Sequence, residues 1–279
     1  MTSEHDVRLD DARTLHAYDT GDPGDDRLAV FWHHGTPNIG APPRPLFAAA
    51  DRLGLRWVSY DRPGYGGSTR RPGRDMATAA ADVGRVADAL GVDRFAVVGH
   101  SGGSSHALAC AASLGDRVVG AVSMAGLAPF DADGLDWFAG MIASGKASLG
   151  AAAAGRESKE AYETSGVDYD PEFTAADLAS LEGEWSWLGS VVGPAVESGP
   201  WGLVDDDLAY VSSWRCDPAD IATPTLLLHG GQDGIVPSAH SEWLATRIPG
   251  AELRLLPGDG HISVLDHAVG ALEWLRDNA

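Results

Sequence analysis

Six short, largely apolar runs punctuate the 279-residue chain: Leu28 to His33, Arg56 to Tyr60, Phe95 to Gly99, Val118 to Ser123, Thr225 to His229 and Glu252 to Leu256. Each is too short for a typical helix, and they read as uniformly apolar rather than alternating as a strand with one wet face would. Runs of this kind suit strands covered by helices on both faces, as in a mostly parallel central sheet. Amphipathic stretches lie between most of them. From Met76 to Leu90, Ala79, Val83, Val86, Ala87 and Leu90 recur at helical spacing while Asp82, Arg85 and Asp88 fall elsewhere. Further helices are expected at Pro45 to Leu53, Gly103 to Leu114, Ser238 to Ile248 and Ser263 to Arg276. With two earlier strands, near Asp6 to Leu9 and Thr14 to Tyr18, the pattern predicts an α/β fold with an eight-stranded, mostly parallel sheet and helices on both faces.

The segment from Leu127 to Asp217 breaks this rhythm. It has no convincing strand and holds helix-like pieces at Leu135 to Ala143, Ser158 to Thr164 and Ala175 to Leu188. It reads as an inserted helical cap over residues 127–217, with the core formed by 1–126 and 218–279. The insertion carries 17 acidic and 4 basic residues, and so −13 of the chain's net charge of −20. It also carries five of the nine tryptophans: Trp137, Trp185, Trp187, Trp201 and Trp214. A charged outer face over an aromatic underside is what a lid over a pocket would show, which makes these five candidates for substrate contact.

The balance of 20 basic against 40 acidic residues argues against a protein that grips nucleic acid or an anionic membrane electrostatically. The acidic N-terminus lacks a signal peptide's basic and apolar regions, and no apolar run is long enough to span a bilayer, so a cytoplasmic location is expected. Cys110 and Cys216 offer neither a disulfide framework nor a zinc ribbon. The histidines show no HExxH spacing, so no metal is expected.

Gly99-His100-Ser101-Gly102-Gly103 fits G-x-S-x-G, in which small residues flank a serine on a sharp turn between strand and helix. The pattern is weak alone, but here the run Phe95 to Val98 precedes it and an Ala-rich helix follows, placing Ser101 at the carboxyl edge of the sheet. A serine hydroxyl needs a general base oriented by a carboxylate. Asp233 follows the run Leu226 to His229, and His261 follows Leu253 to Leu256 through Pro257-Gly258-Asp259-Gly260. Ser101, Asp233 and His261 therefore stand in the order Ser, Asp, His, each just past a strand. Asp259 is a rival acid, although Pro-Gly-Asp-Gly is turn chemistry. An oxyanion hole needs two backbone N–H groups, assigned to Gly102 and to Thr36 in the loop His33-His34-Gly35-Thr36-Pro37. His100 is a packed neighbour of the site with a possible contact to substrate.

With these pieces in view the chain resembles the α/β-hydrolase superfamily from about Thr14 to Leu275. The residues that carry the resemblance are His34-Gly35-Thr36-Pro37, the turn Asp61-Arg62-Pro63-Gly64-Tyr65-Gly66-Gly67-Ser68, Gly99 to Gly103, His229 to Asp233 with Pro237, and Gly258 to His261. The resemblance implies that Leu127 to Asp217 is the cap and that the Asp61 to Ser68 turn is scaffold beside the oxyanion hole. Serine at 101 separates the chain from branches resembling haloalkane dehalogenases and epoxide hydrolases, which attack with aspartate. His34 to Pro37 also departs from the HGGPG run of proline iminopeptidases, which weakens a peptidase reading.

The expected activity is a serine hydrolase acting on a carboxylic ester, thioester, lactone or similar acyl compound through an acyl-enzyme. It calls for no cofactor and for a small-molecule acyl substrate as partner. Rival readings keep the scaffold: a cofactor-free perhydrolase, C–C hydrolase or lyase in one class, and a non-catalytic small-molecule receptor in another.

Overall fold

The computed structural model describes residues 2–22 and 24–279. Eight strands form one sheet: β1 (Ser3–Arg8), β2 (Thr14–Asp19), β3 (Leu28–His33), β4 (Leu55–Tyr60), β5 (Phe95–His100), β6 (Val118–Met124), β7 (Thr225–Gly230) and β8 (Glu252–Leu256). Their spatial order is β1-β2-β4-β3-β5-β6-β7-β8. β1 pairs antiparallel with β2, and β2 antiparallel with β4; every other pairing is parallel. The reversal of strand order around β3 opens a crevice at the carboxyl ends, where open α/β sheets place ligands.

Side chains of each central strand alternate between two cores. Phe31, Val58, Phe95 and Val97 pack with α2 (Met76–Ala89) and α3 (Gly102–Ser113). Val30, Trp32, Trp57, Ala96 and Val98 face the opposite side, with α1 (Phe47–Leu53) and α10 (Ala268–Asn278). A fully buried side chain of this kind is worth about 1.5–3 kcal/mol, so burial on both faces explains why these runs do not alternate in sequence. The outer strand β8 departs from that expectation: Glu252 and Leu255 are exposed, because at the sheet edge only part of the strand is covered. α9 (Ala239–Arg247) packs against β7 and β8.

Between β6 and β7 lie α4 (Ala143–Ala153), α5 (Arg156–Thr164), α6 (Ala175–Glu182), α7 (Gly189–Val196) and α8 (Trp201–Tyr210). The helix expected at Leu135 to Ala143 is instead a series of turns, preceded by Gly134 and interrupted by Gly140, both in left-handed conformation at φ 80° and 81°. The piece expected at Ala175 to Leu188 breaks at Gly183 into α6 and a 3₁₀ turn, Glu184–Leu188. No described helix is long and apolar enough to cross a membrane.

The charge expected on an outer face is partly inward. Asp205, Asp206 and Asp207 on α8 are all buried. Arg70 and Arg156 neutralise Asp205, Arg62 and Arg74 neutralise Asp206, and the buried Lys159 neutralises Asp207 at 2.6 Å. Carboxylates at that depth persist only with such partners.

Candidate active site

β5 ends at His100 and α3 begins at Gly102, leaving Ser101 alone to make the turn. Its backbone takes φ 56° and ψ −132° and is fastened by its N–H to Met124 O (2.8 Å) and its carbonyl to Ser104 N (2.9 Å). The turn needs its glycines. A Cβ on Gly99 would fall 2.4 Å from Gly103 O, and one on Gly103 would fall 2.0 Å from His33 O. Strand and helix therefore approach backbone to backbone, and Ser101 is left partly exposed at the carboxyl edge of the sheet.

The loops after β7 and β8 also meet closely, since a Cβ on Gly230 would lie 2.3 Å from Gly260 O. They bring His261 Nδ1 to 2.7 Å from Asp233 Oδ2, with both residues buried. Asp233 Oδ1 accepts from the N–H groups of Ile235 and Val236, each at 2.9 Å. Burial alone would raise the Asp233 carboxyl, but His261 and His229 hold it well below the usual carboxylate range. An ionised carboxylate only accepts, so Nδ1 of His261 carries the proton and Nε2 is left free as a base. His229 donates its Nε2–H to Val236 O at 2.7 Å and accepts from Ser241 Oγ at 2.6 Å, which stiffens the same loop.

His100 donates its Nε2–H to His261 O at 2.8 Å. Burial and the neighbouring His261 push its pKa down to about 3, so it stays neutral and tethers the loop that bears His261. Asp259 turns elsewhere, to His267 Nε2 at 3.0 Å.

Thr36 and Gly102 stand side by side, a Cβ on Gly102 falling 3.1 Å from Thr36 Oγ1. Among the described residues neither backbone N–H has a protein acceptor. Arg62 lies beneath this loop, donating through Nη1 to His34 O and through Nη2 to Gly35 O (3.1 Å) and Thr36 Oγ1 (2.9 Å). Asp61 secures the neighbouring turns by accepting from Gly40 N at 2.6 Å and Gly67 N at 2.8 Å.

Of the tryptophans, Trp137, Trp185, Trp187 and Trp214 are buried in the two cores. Trp137 packs edge-on to Phe130, Phe138 and His240 and donates to Ala128 O at 2.9 Å. The Trp201 ring lies below the Arg70 guanidinium, whose Cζ is 5.0 Å from the ring centroid.

Sequence reasoning missed the side chains that fasten the β6–β7 segment to the site. Asp177 on α6 accepts from the N–H groups of Ile262 (2.8 Å) and Ser263 (2.9 Å), directly after His261. Ile142 N donates to Gly234 O at 2.7 Å and Ile39 N to Val191 O at 2.9 Å, adding ties to the Asp233 loop and to the loop after β3. The Thr174–Asp177 capping box is visible in sequence, but the second task of Asp177 is not, since its partners lie 85 and 86 residues away.

The family model described as alpha/beta hydrolase fold matches residues 29–268, and the chain belongs to that family. A putative non-heme chloroperoxidase from Synechocystis is 27% identical over 254 residues, 84% of this chain and 85% of that protein. A pimeloyl-[acyl-carrier protein] methyl ester esterase from Aromatoleum aromaticum is 41% identical over a shorter match of 71 residues, 25% of this chain and 28% of its own. The crystal structure of a bromoperoxidase from Bacillus anthracis superposes with a TM-score of 0.73 at 22% identity, covering 99% of this chain and 98% of that one. That structural likeness concerns the fold alone.

Proposed function

We propose that the chain is a serine hydrolase that cleaves a carboxylic ester or related acyl compound through an acyl-enzyme. The observation that carries this reading is the charge-assisted pair Asp233–His261, tied by its backbone to His100, the residue next to a serine on a strained turn. Ser101 Oγ attacks the carbonyl carbon while His261 Nε2 takes its proton. The imidazolium that forms is stabilised by Asp233. The N–H groups of Gly102 and Thr36 hold the negative charge on the carbonyl oxygen. The proton then passes to the leaving alkoxide, and water, activated by His261, releases the acid.

Residues 127–217 serve as the cap and 1–126 with 218–279 as the core, a division supported by the contacts of Asp177, Ile142 and Val191 with the loops of the site. Among the tryptophans, Trp137 is the strongest candidate for shaping the acyl pocket, because the stretch that follows it leads to Ile142, whose N–H donates to Gly234 O of the Asp233 loop. A small-molecule acyl compound is the partner.

The test is Ser101→Ala measured with a fluorophosphonate label and a short-chain ester. Labelling should vanish and turnover fall by about 10⁶, as on removal of comparable nucleophiles. Turnover that survives in protein free of contaminating esterase would remove the proposal.

A second reading, perhydrolysis, is favoured by the chloroperoxidase relative that spans most of the chain. Hydrogen peroxide would replace water at the acyl-enzyme, giving peracid and free Ser101. Peracid formation at the expense of acid, measured with peroxide present, separates the two.

A further inference from the structure

Asp206 is fully buried on α8 and stands 170 residues from Thr36 in sequence, yet its Oδ2 accepts the Thr36 hydroxyl at 2.7 Å. The same carboxylate accepts from Arg62 Nη2 at 2.7 Å and Tyr65 OH at 2.8 Å, and pairs with Arg74 at 2.5 Å. The Tyr210 hydroxyl, at the end of α8, lies 2.6 Å from Thr36 Oγ1.

Counting protons fixes the direction of each bond. A hydroxyl has one proton and two lone pairs. Thr36 gives its proton to Asp206, so it must accept from Tyr210 and from Arg62 Nη2, whose two protons are shared among Thr36 Oγ1, Gly35 O and Asp206 Oδ2. Its hydrogen-bonding capacity is then full and its side chain locked. The backbone is aimed by the same residues. In a trans-planar arrangement of the peptide atoms, C=O and N–H point in opposite directions. The carbonyl of Gly35, which shares a planar peptide unit with the Thr36 N–H, is occupied by Arg62 Nη2 and by His34 Nδ1 at 2.8 Å. Fixing that carbonyl fixes the plane in which the Thr36 N–H lies.

We propose that Asp206 and Tyr210 of α8, acting with Arg62, are positioning residues that hold Thr36 as an oxyanion donor. This rests on the proposed acyl-transfer reading. One donor of the hole is thus held in place by a helix of the β6–β7 segment, and donors fixed before the reaction avoid reorganisation during it.

The test uses the full chain with p-nitrophenyl acetate, comparing Tyr210→Phe, Thr36→Val, Thr36→Ser and Tyr210→Phe combined with Thr36→Val, with Ser101→Ala as control and thermal midpoints recorded. Loss of a complete oxyanion donor lowers kcat by about 10²–10³. Thr36→Val keeps the N–H but frees it from this network, so it should lose up to about 100-fold in kcat, the lower end for loss of a whole donor, and Tyr210→Phe about 10-fold, each with KM within about twofold. Thr36→Ser, which keeps the hydroxyl, should stay within about threefold of the parent, and the double variant should fall no further than Thr36→Val. A Tyr210→Phe enzyme with unchanged kcat, or strictly multiplicative losses in the double variant, would overturn the positioning role. If Ser101→Ala is inactive in that case, only this inference falls; if Ser101→Ala still turns over ester, the acyl-transfer reading falls with it. Should Tyr210→Phe fail to fold, the Thr36→Ser and Thr36→Val comparison decides, equal kcat in the two overturning the proposal.

Discussion

At Ser101, φ 56° is a backbone conformation that costs a non-glycine residue about 1–3 kcal/mol, and the surrounding glycines are what let the structure hold it. Gly103→Ala should destabilise the fold by about 3 kcal/mol or more, because the new methyl meets the backbone carbonyls of His33 and His34 rather than a movable side chain. Gly150 in α4 has open space at its Cβ, so Gly150→Ala should stabilise by about 0.5–1 kcal/mol. Urea denaturation of the two variants checks both signs. The pair at His261 gives a second expectation. Asp233→Asn should lower kcat by about 10⁴ by upsetting the tautomer, whereas Asp259→Asn, whose carboxylate faces His267, should leave it within about twofold. Steady-state kinetics on a common ester would reassign the acid if the ranking reversed. Ser101, Asp233 and His261 could be picked out in sequence because each follows an apolar run and sits in its own short signature. Asp206 and Tyr210 could not: the positions they reach, Thr36 and Arg62, are joined to them only by the fold.

At the scale of helices, α2 was readable from its apolar stripe, while α4, α7 and α8 were not. α4 is built largely of Ala, Gly and Ser with no stripe to read, and α8 presents three carboxylates where a stripe reading places solvent. That reading fails on α8 because the arginines and the lysine that neutralise those carboxylates come from distant segments. Removing one partner of a buried pair costs about 3–5 kcal/mol, since the other charge stays buried alone. Asp206→Ala, which strands Arg62 and Arg74, should lose about that much, and Asp168→Ala, in an exposed irregular stretch, should change stability by less than about 0.5 kcal/mol. Asp177→Ala should fall between them, at about 1–3 kcal/mol for N–H groups left without acceptors. Chemical denaturation of the three would show whether the acidic residues of this segment form one class or two.

Across the whole molecule, acidity acts through buried histidines. Burial holds His106 and His240 at a pKa of about 4 and His100 at about 3, against 6.5 for a free imidazole. Between those values the unfolded chain binds protons that the folded one refuses, so stability is fully present above about pH 6.5 and falls as the pH drops toward about 4. A tenfold change in proton affinity corresponds to about 1.4 kcal/mol, so the three imidazoles together should remove several kcal/mol. Asp61, Asp82 and Asp207, whose carboxyls burial raises, offset part of this just above their ordinary range. Asp206 and Asp233, held low, add to the loss in stronger acid. Urea midpoints at pH 7.5 and pH 5 should differ clearly, and equal midpoints would mean that these imidazoles gain protons without unfolding.

The ties that run from the β6–β7 segment to the site also bear on exchanging parts between relatives. A chimaera that took residues 127–217 from another family member would keep its own Thr36 loop, Gly234 loop and Ile262–Ser263 turn. It would lose the carboxylates of Asp206 and Asp177 where the donor has other residues there, and the bonds made by Val191 O and Ile142 N–H where the donor's main chain runs differently. Recombination on this scaffold therefore favours donors with a carboxylate at positions 177 and 206 and a main chain that brings positions 142 and 191 to the same loops, and a library screened only for new substrates would first be winnowed by whether the loops of the candidate site still had something to hold.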